Sequence, residues 1–207
     1  MKKQISKPAR ERLIQLIRLL DQFEGSEKKA LITSSEIEML TGWTDTTVRR
    51  DISLLSTSSA TSSGYSIPAL RNAIEEALDI NRSERFCCIV GLGRLGSALL
   101  EYEGFTKSSF ILKAGFDISK NRCETLHAPI PLFPTLQMER IIKEKKIEYA
   151  VLAVPENAAQ EVTDKLCDYG IKGIVNFTSR VLRVKEGVFL QSLSVLDALQ
   201  NVSSMSF

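Results

Sequence analysis

The feature that most constrains this chain is a glycine-rich turn, Gly91-Leu92-Gly93-Arg94-Leu95-Gly96. The apolar run before it, Phe86–Val90, predicts a buried strand, and Ser97–Leu100 after it predicts a helix. In such a turn the first glycine permits the sharp bend, and the second lets a pyrophosphate approach the backbone. The third allows the helix to pack closely on the strand. The turn therefore predicts a phosphate-binding loop at the start of a dinucleotide-binding fold.

A carboxylate follows at a distance that fits the same interpretation. The next apolar run, Phe110–Phe116, ends at Asp117, about 20 residues past the last glycine, where an acidic residue is expected to bind ribose hydroxyls. A carboxylate there repels a 2′-phosphate, which favours NAD(H) over NADP(H). Lys120 and Arg122 lie close by in sequence and weaken that preference. A plain glycine turn followed by a solvated aspartate is the alternative.

The rest of the second half alternates predicted strands with predicted helices. The runs Ile147–Val154 and Gly173–Phe177 read as buried strands, and Glu156–Tyr169 reads as an amphipathic helix between them. This order is typical of a doubly wound parallel sheet, in which ligands bind at the carboxyl ends of the strands. The candidate cofactor-binding residues are therefore Gly91, Leu92, Gly93, Arg94, Leu95, Gly96, Asp117, Val154, Pro155, Asn176 and Phe177. Of these, Asn176 and Phe177 could equally be structural.

The residues before about Arg82 follow a different pattern, that of short helices. Leu13, Leu16, Ile17 and Leu20 recur at the spacing of one helical face. The pair Ser35 and Glu38 predicts a capping box at the start of a second helix, and Gly42 predicts its end.

A third predicted helix begins at Thr44 and buries Val48, Ile52 and Leu55. Its opposite face carries hydroxyls and paired arginines, as in the reading helix of a helix-turn-helix protein. The segment 1–18 also has six basic residues and one acidic residue, a charge that would attract a phosphate backbone. The candidate DNA-binding residues are Thr46, Thr47, Arg49, Arg50, Ser53, Lys7 and Arg10. A small helical bundle with solvated arginines is the alternative.

The hydroxyl-rich stretch Ser56–Gly64 fits a wing, a hairpin loop beside the reading helix, although its composition would also suit a linker. Pro68 is then expected in the first turn of a further helix. The fold class predicted for the chain is α/β, with an N-terminal winged helix-turn-helix domain followed by a Rossmann-like doubly wound parallel sheet. We expect domains at 1–82 and 83–194, with a C-terminal helix at 195–207.

Several classes of function find no support in the sequence. The four cysteines and single histidine show no metal-ligand spacing, so we expect no metal. No apolar stretch resembles a secretory signal or a membrane span, so we expect a cytoplasmic protein without a membrane partner. No substrate domain or positioned proton donor is visible, so we do not expect an enzyme.

These residues resemble the Rex family of redox-sensing transcriptional repressors over nearly the whole chain. The glycine run through Leu99 is similar to the family's Gly-x-Gly-Asn-Leu-Gly-x-Ala-Leu, and Phe116-Asp117 matches the family's ribose-binding Asp. The stretch 170–177 resembles a later strand, and Thr47–Ser53 resembles the recognition helix. The resemblance implies a homodimer that exchanges its C-terminal helix, binds palindromic double-stranded operator DNA and releases it when NADH rises.

Three departures from the family pattern matter. Arg94 replaces the usual Asn of the glycine loop, and Ser56–Ser63 lacks the basic residues of the family's wing. Ser194 stands near the place of a family Asp that pairs with an N-terminal Arg, here Arg12. The alternatives to a repressor are a small NAD- or coenzyme-A-binding Rossmann enzyme and a nucleotide-binding adaptor without DNA binding.

Overall fold

The computed structural model describes residues 5–23, 30–55, 60–61, 63–80 and 84–205. The chain divides into two compact units, Met1–Arg82 and Ser83–Phe207. Within the described ranges, no helix is long and apolar enough to cross a membrane.

The described part of the first unit contains four helices, α1 (Lys7–Asp21), α2 (Ser34–Thr41), α3 (Asp45–Ile52) and α4 (Ile67–Leu78). Helices α1, α3 and α4 each bury an apolar stripe, whereas α2 buries Ile37 and exposes Met39 and Leu40. On α1 the buried positions include Leu13, Leu16 and Leu20, and on α4 they include Leu70 and Ile74, all in one core. Pro68 lies in the first turn of α4, as predicted, where a missing N–H costs no helical hydrogen bond.

A small antiparallel sheet completes this unit. Its strands β1 (Leu31–Ile32), β2 (Ala60–Thr61) and β3 (Gly64–Ser66) lie in the order β1-β3-β2. The pairing of β2 with β3 forms a hairpin that follows α3, so the wing prediction is confirmed in preference to a linker. Residues 56–59 and 62 of the hydroxyl-rich stretch lie outside the described part of the chain.

The predicted capping box is displaced by two residues. The Thr33 side chain accepts a hydrogen bond from Glu36 N–H at 3.1 Å, and Glu36 Oε2 accepts from Thr33 N–H at 2.7 Å. The sequence contains two overlapping matches to the motif, and the earlier one places Ile37 in the core with no exposed surface. Glu38, predicted as the second half of the box, instead accepts from Asp45 N–H at the start of α3.

The second unit is built on a six-stranded parallel sheet. The strands are β4 (Arg85–Val90), β5 (Phe110–Asp117), β6 (Leu132–Pro134), β7 (Tyr149–Leu152), β8 (Gly173–Asn176) and β9 (Phe189–Ser192), in the order β6-β5-β4-β7-β8-β9. The chain runs outward from β4 to one edge and then returns to build the other side. This reversal is a topological switch point, and it places the carboxyl ends of β4, β5 and β7 side by side.

The helices of this unit are α5 (Arg94–Leu100), α6 (Lys120–Thr125), α7 (Met138–Glu144), α8 (Glu156–Asp168) and α9 (Val195–Ser204). One core cluster joins the sheet to α7 and α8 and includes Phe116, Ile142 and Leu166. A second, smaller cluster centres on Ile89, Leu92 and Leu100. The predicted winged helix-turn-helix unit and Rossmann-like sheet are both present.

Candidate functional site

The glycine loop between β4 and α5 gives its three glycines three different surroundings. Gly91 has φ +93°, and a Cβ built on it would lie 2.5 Å from the carbonyl oxygen of Ala153. A Cβ on Gly96 would lie 1.8 Å from the carbonyl oxygen of Gly91. Gly93, in contrast, has no atom within 4 Å of its Cβ position. Two glycines are therefore required by packing, whereas Gly93 borders open space of the kind that a pyrophosphate needs.

The other side chains of the loop divide between core and solvent. Leu92 is buried and packs with Ile89 and Leu100, so its side chain anchors the loop rather than lining a site. Arg94 and Leu95 are exposed at the start of α5. The guanidinium that replaces the family's Asn thus stands at the solvent side of the loop, next to Gly93.

Asp117 lies at the end of β5 and is 3% exposed. Its Oδ2 accepts hydrogen bonds from Leu92 N–H at 2.7 Å and from the Arg122 guanidinium at 2.9 Å, and its Oδ1 accepts from Ser119 N–H at 2.8 Å. Burial raises the pKa of this carboxyl, but the Ser119, Leu92 and Arg122 donors outweigh burial and hold the pKa below its ordinary value. Asp117 therefore ties the glycine loop to β5 as a carboxylate.

The end of β7 completes the crevice beside Gly91. Ala153 N–H donates to Val90 at 2.8 Å, which fixes Ala153-Val154 against the end of β4. Val154 is half-buried and Pro155 is exposed at the start of α8. The structure thus brings together the glycine loop, Asp117 and the Val154-Pro155 turn, as the sequence predicts.

Asn176, at the end of β8, has a fully buried side chain whose hydrogen bonds all stay within the protein. Its Nδ2 donates to the Arg180 carbonyl and to Ser192 Oγ, and its Oδ1 accepts from the N–H and the hydroxyl of Thr178. These four bonds fill the capacity of an amide. The geometry thus favours the structural alternative for Asn176, which shapes the loop that follows β8. Phe177 starts this loop, half-buried, with its N–H donating to Leu152.

Helix α3 presents the face that the sequence predicts. Val48 and Ile52 are buried, whereas Thr46, Arg49, Arg50 and Ser53 are exposed. Thr44 caps the helix by accepting from Thr47 N–H, and its hydroxyl lies 2.9 Å from the Thr47 hydroxyl. The hydroxyl of Thr47 is therefore partly engaged in a hydrogen bond within the protein, and Thr47 is half-buried in the first turn of α3.

The two arginines of α3 differ in their contacts. Arg49 forms an ion pair with Asp45 at 2.8 Å and donates to Ser34 Oγ at 3.2 Å, while Arg50, the next residue, is exposed. An exposed ion pair contributes only about 0–1 kcal/mol, so Arg49 can exchange Asp45 for a phosphate at small cost. On α1, Arg10 is exposed and Lys7 forms a long ion pair with Glu11 at 3.9 Å.

A partly buried ion pair, which the sequence analysis did not predict, fixes α3 against α1. Arg12 donates to both oxygens of Asp51, at 2.6 and 3.0 Å, and this hydrogen-bonded pair raises the pKa of Arg12. The available signal was the position of Asp51 among the buried residues of α3, since a charge there requires a partner. Removing one partner of a fully buried pair costs about 3–5 kcal/mol, and the loss is smaller here because Arg12 is partly exposed.

Ser194 caps the C-terminal helix. Its Oγ accepts from Asp197 N–H at 3.1 Å, and α9 begins at the next residue. This helix exposes a row of apolar side chains at helical spacing, namely Val195, Leu196, Leu199, Val202 and Met205.

Two of the four cysteines, Cys87 and Cys88, are buried in β4. Burial raises the pKa of Cys87 to about 12 and raises that of Cys88 further, so both are inert thiols. Among the residues that the structure describes, no group of three His, Cys, Asp or Glu side chains could hold a metal ion.

Comparison with known proteins identifies the family. Residues 4–53 match the family model of a putative DNA-binding protein N-terminus, and residues 82–180 match that of a CoA binding domain. The redox-sensing transcriptional repressor Rex of Thermus thermophilus is 33% identical over 202 residues, which cover 96% of this chain and 92% of the relative. The chain belongs to the Rex family of redox-sensing transcriptional repressors. A second Rex, from Leuconostoc citreum, is 33% identical over 171 residues, covering 83% of this chain and 79% of that one.

Solved structures of a Rex-family repressor, RSP, share the fold. RSP in complex with β-NADH matches 99% of this chain and 95% of its own, at 29% identity and a TM-score of 0.86. RSP in complex with β-NAD+ and operator DNA matches 99% and 93%, at 30% identity and a TM-score of 0.87. The relatives are regulators of transcription, which argues against the alternative of a Rossmann enzyme.

Proposed function

We propose that this chain is a redox-sensing repressor that binds operator DNA through its first unit and NAD(H) through its second. NADH releases the DNA, so that transcription follows the NADH/NAD+ ratio of the cytoplasm. The observation that carries the proposal is the glycine loop. Gly91 and Gly96 are closed by packing and Gly93 is open, which is the arrangement a pyrophosphate requires. The Rex-family repressor RSP has been solved with β-NADH and, separately, with β-NAD+ and operator DNA, which supports a coupling between cofactor and DNA binding.

In the cofactor site, Gly93 borders the pyrophosphate, and Arg94 supplies a positive charge beside it. Asp117 holds the loop to β5 and stands where the ribose is expected. The turn Val154-Pro155 forms the adjoining wall. Asn176 acts as a positioning residue that presents Phe177 and the residues after it, because its own amide is fully engaged.

In the DNA site, α3 enters the major groove with Thr46, Arg49, Arg50 and Ser53 on its exposed face. One arginine contacts a base and the other contacts a phosphate, because a fork of N–H donors suits both guanine and phosphate oxygens. Thr47 lies at the first turn of the same helix, and Lys7 and Arg10 on α1 add phosphate contacts.

The assembly is a homodimer in which the segment 195–207 packs on the partner subunit, so the functional domains are 1–82, 83–194 and this C-terminal helix. The apolar row on α9 is between 59% and 84% exposed within one chain, which is costly unless a partner covers it. A twofold-symmetric dimer reads a palindromic operator.

A selection experiment tests this function. The protein is titrated against a random-sequence DNA pool in a gel shift, and the bound duplexes are then tested with NADH, with NAD+ and with neither. We expect palindromic duplexes to be enriched, and we expect NADH to release them. Binding to no duplex would favour an adaptor without DNA binding, and binding indifferent to NADH would contradict the redox-sensing role.

A further inference from the structure

The acidic residue expected to select NAD(H) does not face solvent as a bare carboxylate. Asp117 accepts three hydrogen bonds, from two backbone N–H groups and from the Arg122 guanidinium. A carboxylate offers about four acceptor positions, so one remains. The Asp117 side chain is only 4% exposed, which leaves little access for a pair of ribose hydroxyls.

Arg122 is the group that covers Asp117 on the solvent side. Its side chain is 47% exposed, and one of its N–H groups donates to Asp117. A guanidinium carries five N–H donors in a rigid fork, so donors remain for an anion. The contact to Asp117 fixes the fork in place, which reduces the entropy lost when it binds a ligand.

Neighbouring residues add to the positive charge around Arg122. Lys120 is exposed, and its ammonium lies 3.7 Å from Glu124 in a solvent-screened pair. The hydroxyl of Ser119 accepts from the backbone N–H of Arg122 at 3.3 Å and so caps α6 at the turn that carries Arg122. The exposed charges of this turn are two cations and one carboxylate, while the charge of Asp117 is buried and paired.

The net charge around Asp117 determines whether a 2′-phosphate is repelled or bound. A bare carboxylate at the ribose rejects a 2′-phosphate by repulsion, whereas a nearby Arg accommodates it. Here the charge of the Asp117 carboxylate is compensated by the Arg122 guanidinium that donates to it. Arg and phosphate form charge-assisted, bidentate hydrogen bonds, which are among the stronger polar contacts in proteins.

We propose that Arg122, supported by Lys120 and Ser119, forms a subsite for the 2′-phosphate of NADP(H), so that this protein binds NADPH as well as NADH. The proposal rests on the proposed function, since it places the ribose of a bound dinucleotide beside Asp117. It changes what the protein senses, because a regulator open to both cofactors responds to two reduced pools.

Fluorescence titration with NADH and NADPH tests the subsite. For the unmodified protein we expect the two dissociation constants to lie within about tenfold of each other, since repulsion is cancelled and a charged contact is gained. Arg122→Gln removes the charge and is expected to weaken NADPH by about tenfold or more, with little effect on NADH. Arg122→Lys keeps the charge but lacks the planar fork, so its affinity for NADPH should lie between those of the unmodified protein and of Arg122→Gln.

Two further measurements isolate the 2′-phosphate. In competition against NADH, 2′,5′-ADP should bind more tightly than 5′-AMP to the unmodified protein, and Arg122→Gln should remove that advantage. The matched control is Arg140→Gln, since Arg140 is also a helical arginine with a 59% exposed side chain and a carboxylate partner, Glu144. This control should leave all four ligands unaffected.

The outcomes separate the subsite from the cofactor site itself. NADPH bound more than about a hundredfold more weakly than NADH would overturn the subsite and leave the redox-sensing role intact. An equal loss of both cofactors in Arg122→Gln would also overturn it, because Arg122 would then act only by holding Asp117. Binding of neither cofactor to the unmodified protein would overturn the subsite and the proposed function together.

Discussion

Replacing Gly93 with valine separates cofactor binding from folding more cleanly than any other change in the glycine loop. The backbone of Gly93 has φ −68° and ψ −164°, an extended conformation that any residue adopts. Its Cβ position has no atom within 4 Å. Gly93 is the N-cap of α5, where valine is less favourable than glycine, so we expect Gly93→Val to lower the free energy of unfolding by only about 1 kcal/mol.

The same side chain would occupy the space that the pyrophosphate needs. Hydrogen bonds to a charged group contribute about 1.5–3 kcal/mol each. If valine displaces the pyrophosphate from two such contacts, the loss is at least about 3 kcal/mol, or more than about a hundredfold in Kd. Gly93→Ala, which adds one methyl group, should give a smaller loss in the same direction.

The assay is isothermal titration calorimetry with NADH, combined with thermal unfolding of each variant. Gly91→Ala is the contrasting variant, because its added Cβ would meet Ala153 at 2.5 Å and its φ is positive. We expect that variant to lose stability by about 1–3 kcal/mol or more. An unchanged NADH affinity in a folded Gly93→Val variant would refute the assignment of this loop to the pyrophosphate.

Four other predictions address the remaining parts of the account. Replacing Arg49 and Arg50 together with alanine should weaken DNA binding by at least about 1–3 kcal/mol, and a gel shift equal to that of the unmodified protein would exclude α3 as the reading helix. Truncation after Ser194 should yield monomers or aggregates in light scattering, whereas a clean dimer would place the interface elsewhere. Adding two lysines between residues 58 and 63 should strengthen DNA binding and steepen its salt dependence by about one per new phosphate contact, and an anisotropy series unchanged in both would mean that this stretch does not touch DNA. Because the pKa of Asp117 is depressed in the folded protein, its ionised carboxylate stabilises the fold fully above about pH 5, and this stabilisation is lost as the pH falls towards the folded-state pKa. Asp117→Asn should therefore flatten the acid side of the profile of melting temperature against pH. A profile of unchanged slope would contradict this.

The sequence was most informative where local geometry and long-range pattern agree. The glycine loop, the strand that ends at Asp117 and the exposed face of α3 were all predictable, because spacing alone sets which side of a strand or helix is buried. Strands β6 and β9 were not predicted. The first is three residues long and ends in a proline, and the second is largely exposed, so neither shows the apolar run of a buried strand.

Side-chain partners were less predictable than elements. The sequence contains two overlapping capping-box motifs, Thr33-x-x-Glu36 and Ser35-x-x-Glu38, and local pattern alone does not select the first, which the structure forms. The pairing of Arg12 with Asp51 joins residues 39 positions apart, and the covering of Asp117 by Arg122 depends on how a short helix turns back over its strand. Spacing placed Asp117 at the site, but only the three-dimensional contacts show that its carboxylate is already engaged.

The central claim is that cofactor and DNA compete through one protein, and thermodynamic linkage tests it most directly. Operator duplex recovered by selection is titrated by anisotropy with and without saturating NADH, and NADH is titrated with and without saturating duplex. We predict that each ligand weakens the other by the same factor, in the range of about 5- to 150-fold that is typical of allosteric coupling. Dissociation constants for DNA and for NADH that are each unaffected by the other ligand would contradict the account.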